Sequence, residues 1–253
     1  MSGVDHKQKW FSLATSLNIS EDFNGVTVVI APHPDDESLG CGGTIALLKK
    51  TCKLVKIIFV SDGSLSHPNS KKYPASILIK LREKEALAAA KILGVQKVDC
   101  HFMRLKDGFL PNKKQHDFSE AVHAMAIVLE PLNIDTIILP WKNDPHNDHK
   151  ACWQIVTQAV KQLGISVSLL HYLIWFWERG TPEKEILKSV NWYKIDITSV
   201  SRLKLKAIAA HKSQVTNLID DDEQGFMLSD GVLNHFNDTF ELFAKQKLKN
   251  NGK

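Results

Sequence analysis

Short apolar runs alternate with longer stretches of helical period along most of the chain. Residues 26–31, 54–60 and 134–140 are nearly continuous in Val, Ile and Leu, and their length suits strands buried on both faces. Residues 95–103 read as a further strand of the same series. Between and after them, residues 39–50, 77–93, 118–132 and 148–163 carry helical patterns. Gly94 and Gly164 stand just past two of these and read as helix stops. Residues 167–177 and 190–197 read as later strands, 200–211 as another helix, and 233–249 as a last one. Trp10, Phe11, Leu13, Leu17 and Ile19 predict an N-terminal amphipathic helix packed on the sheet edge. Strand–helix alternation of this kind is the signature of βαβ units. The expected fold is α/β: a Rossmann-like three-layer sandwich with a mostly parallel sheet, built as a single domain over residues 1–253.

Composition changes that picture little. The chain has 253 residues, 43% hydrophobic and 24% charged, which is ordinary for a globular protein and argues against disorder. Its 32 basic and 28 acidic side chains leave a net charge of +4, and the lysines come in pairs (Lys49-Lys50, Lys71-Lys72, Lys113-Lys114) rather than in a stripe. Nucleic acid is therefore not an expected partner. Cys41, Cys52, Cys100 and Cys152 form no CxxC pair, so they read as buried free thiols of a reducing compartment. The most apolar stretch, residues 166–177, is too short to span a bilayer and is interrupted by His171. The opening residues show no basic n-region with an apolar run behind it. A cytoplasmic chain without stable membrane insertion is expected.

In open α/β sheets, ligands bind outside the carboxyl ends of the strands. That rule singles out the turns at residues 32–37, 61–72, 104–112 and 141–149. Two of them are dense in metal-ligand residue types: Ala31-Pro32-His33-Pro34-Asp35-Asp36-Glu37 and Asp144-Pro145-His146-Asn147-Asp148-His149. With no cysteine nearby, a His/His/carboxylate set that leaves a position open for water is the natural metal site. His33 and Asp36 are three apart and can converge on one point, while Asp35 projects elsewhere and can stand beside the water. His146 and His149 are also three apart, so one can bind metal and the other face a substrate. Either cluster alone reads equally well as a cap and a turn; two at strand ends of one fold favour a site. Gly40-Cys41-Gly42-Gly43 fails as a dinucleotide fingerprint, because GxGxxG needs glycine where Ile45 stands. These glycines read as permitting close helix–strand packing. The polar loop 64–76, with Pro68 and Pro74, reads as a lid or as plain surface.

Pro32–Glu37 followed by Gly40 and Gly42-Gly43 resembles the signature of the PIG-L/LmbE family of zinc-dependent N-deacetylases. Asp144–His149 resembles the family's second signature, with Asn147 where the family has proline. Arg82 and Glu85 in a helix ending at Leu93-Gly94, Asp107-Gly108, and His211-Lys212-Ser213-Gln214 extend the likeness over most of the chain. The resemblance implies zinc, or another divalent metal, on His33, Asp36 and His149. It implies Asp35 as the general base toward metal-bound water, and His146 as the group that polarises the amide carbonyl, oriented by Asp148. Arg82 and Asp107 would contact sugar hydroxyls. The implied reaction removes acetyl from a small-molecule N-acetylglucosamine-type conjugate whose aglycone is not specified, and either Asp35 or His146 protonates the departing amine. Homo-oligomers are an implied state of unspecified number. The alternatives are a metal hydrolase of a non-sugar amide or phosphoester, and a non-catalytic sugar- or metal-binding module. Asp35 argues against the module, since a pure binding site needs no base.

Overall fold

The computed structural model describes residue 7, residues 10–179 and residues 190–248. Among the described residues eight strands form one sheet: β1 (Thr15–Ser16), β2 (Val26–Ala31), β3 (Val55–Ser61), β4 (Cys100–Leu105), β5 (Ile134–Pro140), β6 (Val167–Tyr172), β7 (Trp192–Asp196) and β8 (Phe240–Leu248). Their order is β1-β7-β8-β6-β5-β2-β3-β4. All neighbours run parallel except β8, which is antiparallel to both β6 and β7. The helices are α1 (Ile19–Asp22), α2 (Asp36–Lys50), α3 (Ala75–Ile92), α4 (Phe118–Leu129), α5 (Asn147–Leu163), α6 (Phe176–Arg179), α7 (Ser201–Ala210), α8 (Lys212–Val215) and α9 (Asp230–Asn234).

The central strands are apolar on both faces because helices cover both. Alternate residues of β2 divide between two cores: Val29 and Ala31 pack with α2, α3 and α7, while Val28 and Ile30 pack with α4 and α5. β3 divides the same way, Ile57 and Phe59 against Ile58 and Val60. The three-layer sandwich expected from the pattern is the fold observed.

Three expectations change. The helix expected over 233–249 is not formed among the described residues: α9, capped at Ser229 whose Oγ accepts from Val232 N, ends at Asn234, and Phe240–Leu248 is β8; residue 249 lies outside the described residues. Two sheet neighbours, β6 and β7, offer β8 a full ladder, which outweighs the local helical pattern. The strand expected over 167–177 stops at Tyr172, because the Asp144 carboxylate takes the N–H groups of Ile174 and Trp175 (3.3 and 3.1 Å) away from ladder pairing. The strand expected over 95–103 begins at Cys100, after a 3₁₀ turn at Lys97–Asp99.

At the N-terminal edge, Trp10, Phe11, Ala14 and Leu17 are buried, whereas Leu13 faces solvent. All four cysteines are free, but only Cys41 and Cys152 are buried; Cys52 is exposed and Cys100 half-buried.

The glycines after the first signature act as spacers. A Cβ on Gly40 would stand 2.4 Å from the Tyr172 ring, and one on Gly43 would stand 2.6 Å from Ile197. Among the described residues, no helix is long and apolar enough to cross a membrane.

Candidate active site

From β2 the chain steps outward through β3 and β4, then returns to β5 on the other side of β2. The sheet's switch point therefore lies between β2 and β5, where parallel-sheet proteins open a crevice. The turns leaving these two strands are residues 32–35 and 141–146, so both sequence clusters meet there. β3 and β4 supply the neighbouring turns with Leu65, Ser66, Asp107 and Gly108.

His33, Asp36 and His149 converge: one ligand atom from each lies within 4.8 Å of the others. His33 Nδ1 is 3.2 Å from Asp36 Oδ2, which also accepts from the His33 N–H at 2.9 Å. His149 is fully buried; its Nε2 approaches Asp36 Oδ2 to 3.3 Å and its Nδ1 approaches Asp144 Oδ1 to 3.4 Å. Neither contact has hydrogen-bond geometry, so both buried ring nitrogens lack a hydrogen bond among the described residues. Buried polar atoms are rarely left so. Asp107 Oδ1 and Asp148 Oδ2 also face His33 Nε2, at 3.3 and 3.2 Å.

Four carboxylates thus surround two imidazoles. Burial disfavours a charge on His149, yet Asp36 and Asp144 outweigh it and lift its pKa to about 9. Burial acts the same way on His33, and Asp107, Asp148 and Asp36 raise it well above the ordinary histidine value. The cluster draws positive charge toward itself, and a divalent cation on these donors answers that demand and gives one of the two orphaned His149 nitrogens a partner. The residues present fit such an ion.

Asp35 and His146 stand on the cavity side of this point. Asp35 is the N-cap of α2, with φ 147 and ψ −28, but its side chain makes no cap hydrogen bond. Its Oδ2 instead accepts from Arg82 Nη2 at 3.2 Å. Burial pushes the carboxyl up to about 6, against the pull of Arg82 and with a further push from Asp36. His146 Nδ1 accepts the amide of Asp148 at 3.2 Å. Burial, then the neighbouring His149 and His33, depress its pKa to about 4. It is therefore neutral, and with Nδ1 accepting, its proton resides on Nε2.

Asp148 meets His146 through its amide rather than its carboxylate. The carboxylate accepts from Gly108 N at 2.8 Å and Leu110 N at 3.2 Å, fastening the turn after β4 to the start of α5. Asp107 lines the cavity while its Oδ2 accepts from Leu65 N at 2.8 Å. Arg82 also lines it, but Nη1 and Nη2 are directed to protein: to Gly63 O at 3.0 Å, and to Pro34 O at 2.8 Å beside Asp35. Its buried Nε has no hydrogen-bond partner among the described residues.

Above this polar floor lies a cavity of about 250 Å³. Apolar side chains line it too, among them Ile174, Trp175, Phe226 and Leu228. Trp175 and Phe226 meet edge to face, with ring centroids 5.8 Å apart. The loop expected as a lid or surface is tied down along its middle: Asp221 accepts from Lys71 N and Lys72 N, and Asp222 from Asn69 N.

Sequence reasoning gave no role to several partners. Asp144 positions His149 and accepts from His146 N at 3.0 Å; its place two residues before that histidine was the available signal. Glu37, His211 and Gln214 are buried at or behind the cavity, and Gln214 lines it. Their contacts cross more than a hundred positions of sequence, beyond the reach of local pattern.

The arrangement sets side chains that could hold a cation beside a cavity at the switch point of an α/β sheet. The model of the family described as PIG-L: GlcNAc-PI de-N-acetylase matches residues 28–160, and the chain belongs to that family. Diacetylchitobiose deacetylase of Thermococcus kodakarensis is 27% identical over 210 residues, covering 78% of this chain and 74% of the relative. A probable N-acetyl-alpha-D-glucosaminyl L-malate deacetylase 2 of Bacillus subtilis is 24% identical over 211 residues, 81% of this chain and 90% of the relative. The solved N,N'-diacetylchitobiose deacetylase of Pyrococcus horikoshii shares the fold with a TM-score of 0.64 at 20% identity, over 92% of this chain and 89% of that one.

Proposed function

We propose that the chain is a metal-dependent N-deacetylase that removes acetyl from an N-acetylglucosamine-type sugar conjugate. The observation that carries this reading is the convergence of His33, Asp36 and His149 on one point, with Asp35 and His146 beside it on the cavity side. His33, Asp36 and His149 would hold the cation; two imidazoles and one carboxylate suit zinc, and other divalent ions fit the same set. A divalent cation bound there supplies Lewis acidity, lowering the pKa of a bound water to about 7 and drawing charge from an amide carbonyl.

Asp35 accepts the water's proton at its carboxylate, and a pKa raised by burial makes it an effective base near neutrality. His146 donates a hydrogen bond from its Nε2–H to the carbonyl oxygen as charge develops there, and keeps its proton. The departing amine then recovers the proton held by Asp35, because His146, depressed to about 4, has no second proton to give. Asp107 would offer a sugar ring a hydrogen-bond acceptor and Trp175 and Phe226 a flat apolar surface, while Arg82, expected to touch sugar hydroxyls, spends Nη1 and Nη2 on Gly63 O, Pro34 O and the Asp35 carboxylate. The whole chain serves as one catalytic domain for a small substrate, and its unpaired cysteines suit the cytoplasm.

The test is acetate release from N-acetylglucosamine derivatives by the purified chain, abolished by a chelator and restored by zinc. Phosphate release from sugar phosphates without acetate would transfer the site to phosphoesters. Asp35→Asn is expected to retain metal and lose roughly 10²–10⁴-fold in kcat; full turnover in that variant would remove Asp35 as the base.

A further inference from the structure

Asp35 occupies a backbone conformation that non-glycine residues rarely adopt, with φ 147 and ψ −28. Such a conformation is costly for a residue that carries a Cβ and persists only where its surroundings over-determine it. As an N-cap, Asp35 would ordinarily turn its carboxylate back onto the amides of the first helical turn. Here the first turn of α2 is closed only by its carbonyl, which accepts from Ser38 N and Leu39 N, both at 3.0 Å. The carboxylate is thereby left for the cavity, and something else must hold the backbone.

Glu37 supplies that hold. Its Oε2 accepts the Asp35 N–H at 3.0 Å, in the manner of a capping-box glutamate reaching back to the N-cap amide. Its carboxylate is fully buried and needs donors of its own. Ser38 Oγ gives one at 2.6 Å, and His211 Nε2 the other, at 3.0 Å from Oε1. His211 is itself buried and begins a tight turn. The Glu85 carboxylate anchors that turn by accepting from Ser213 N at 2.9 Å and Ser213 Oγ at 2.6 Å. Glu85 lies one helical turn beyond Arg82 on α3, whose guanidinium grips Pro34 O and the Asp35 carboxylate. Asp35 is thus clamped from behind by His211 through Glu37 and from the side by Arg82.

We propose that Glu37 and His211 form a buried brace that fixes the strained backbone of Asp35 and so aims its carboxylate at the reacting water; both are positioning residues that touch neither substrate nor cation. The proposal rests on the deacetylase reading above for its kinetic consequence, but not for its structural one. His211→Leu removes the donor at similar bulk, and His211→Gln keeps an N–H donor. The Leu variant is expected to lose about 10²-fold in kcat, as misplacement of a reacting group by an ångström does. KM for an N-acetylglucosamine substrate and zinc stoichiometry should stay near wild type, and the Gln variant should recover most of the loss. Wild-type kcat in the Leu variant, a matching fall in zinc content, or no recovery with Gln would each overturn the brace.

If the Leu variant does not fold, Glu37→Gln decides, since it leaves one acceptor oxygen for three donors, Asp35 N–H, Ser38 Oγ and His211 Nε2, at unchanged volume; a lowered kcat at unchanged KM supports the brace and wild-type kcat refutes it. A crystal structure of the folded variant reads the Asp35 backbone directly. Asp35 leaving its positive φ supports the brace, and an unchanged Asp35 overturns it. That readout stands even where the wild-type protein releases no acetate, a result that would instead remove the deacetylase reading.

Discussion

Asp35 is under opposed constraints. Burial raises its pKa to about 6, while Arg82 at 3.2 Å holds it lower than burial alone would. As the proposed base, Asp35 must be ionised to accept a proton, so activity is expected to be lost as pH falls through its pKa. The value of about 6 belongs to the site without a cation, and a dication on the neighbouring ligands lowers it further. The acid limb of kcat is therefore expected at pH about 6 or below; a pH–rate profile with its limb well above that value would assign the base elsewhere. The residue types of this site are visible in the sequence because metal and hydrolytic chemistry draw on a short list of side chains, and His33, Asp35, Asp36, His146 and His149 stand at short spacings. What surrounds them is not visible. Nothing near Asp35 in sequence announces Arg82 or His211, and Asp148 meets His146 by its amide, a contact no side-chain pattern encodes.

At the scale of elements, α2 shows how a local pattern is bent by its neighbours. The helix breaks at Cys41 (φ −149), which frees the amides of Gly43 and Thr44. The Glu241 carboxylate from β8 accepts both at 2.8 Å, and Lys204 on α7 balances its charge at 2.8 Å. Gly40, just before the break, lies against the ring of Tyr172, whose hydroxyl is itself pinned to Ile30 O at 2.8 Å. A ring fixed at both ends has no room to yield. Gly40→Ala is expected to destabilise the protein by about 1–3 kcal/mol, as overpacking of a tight core does. A thermal melt unchanged from wild type would show that the ring moves aside. The strands β2, β3 and β5 and the helices α3 to α5 were legible from apolar runs and helical period. β8 was not, because its strand character comes from two neighbours that the local sequence does not mention.

For the whole molecule, strand order decides where the chemistry sits. His171 illustrates the cost of placing a titratable group inside such a sheet. It lies on β6, where burial depresses its pKa from 6.5 to about 4, with Lys142 adding to the effect and the Pro140 carbonyl opposing it. The unfolded chain binds that proton more readily than the folded one between these values. The contribution of a neutral His171 is thus complete above about 6.5 and is lost as pH falls toward 4. Urea midpoints across that window should fall less in His171→Leu than in wild type; parallel curves would show that His171 does not set the acid limit.

By itself the sequence determined the alternation of strands and helices, and it placed two clusters of side-chain types suited to metal ligation after strands. Both properties are local, set by side-chain period and by short spacing. Only the tertiary structure decided that the two clusters share one site. The chain reverses direction across the sheet between β2 and β5, which brings residues more than a hundred positions apart to one crevice. The same packing decided which carboxylate faces the cavity and which are spent holding loops, because those choices depend on burial and on partners that only the folded chain assembles.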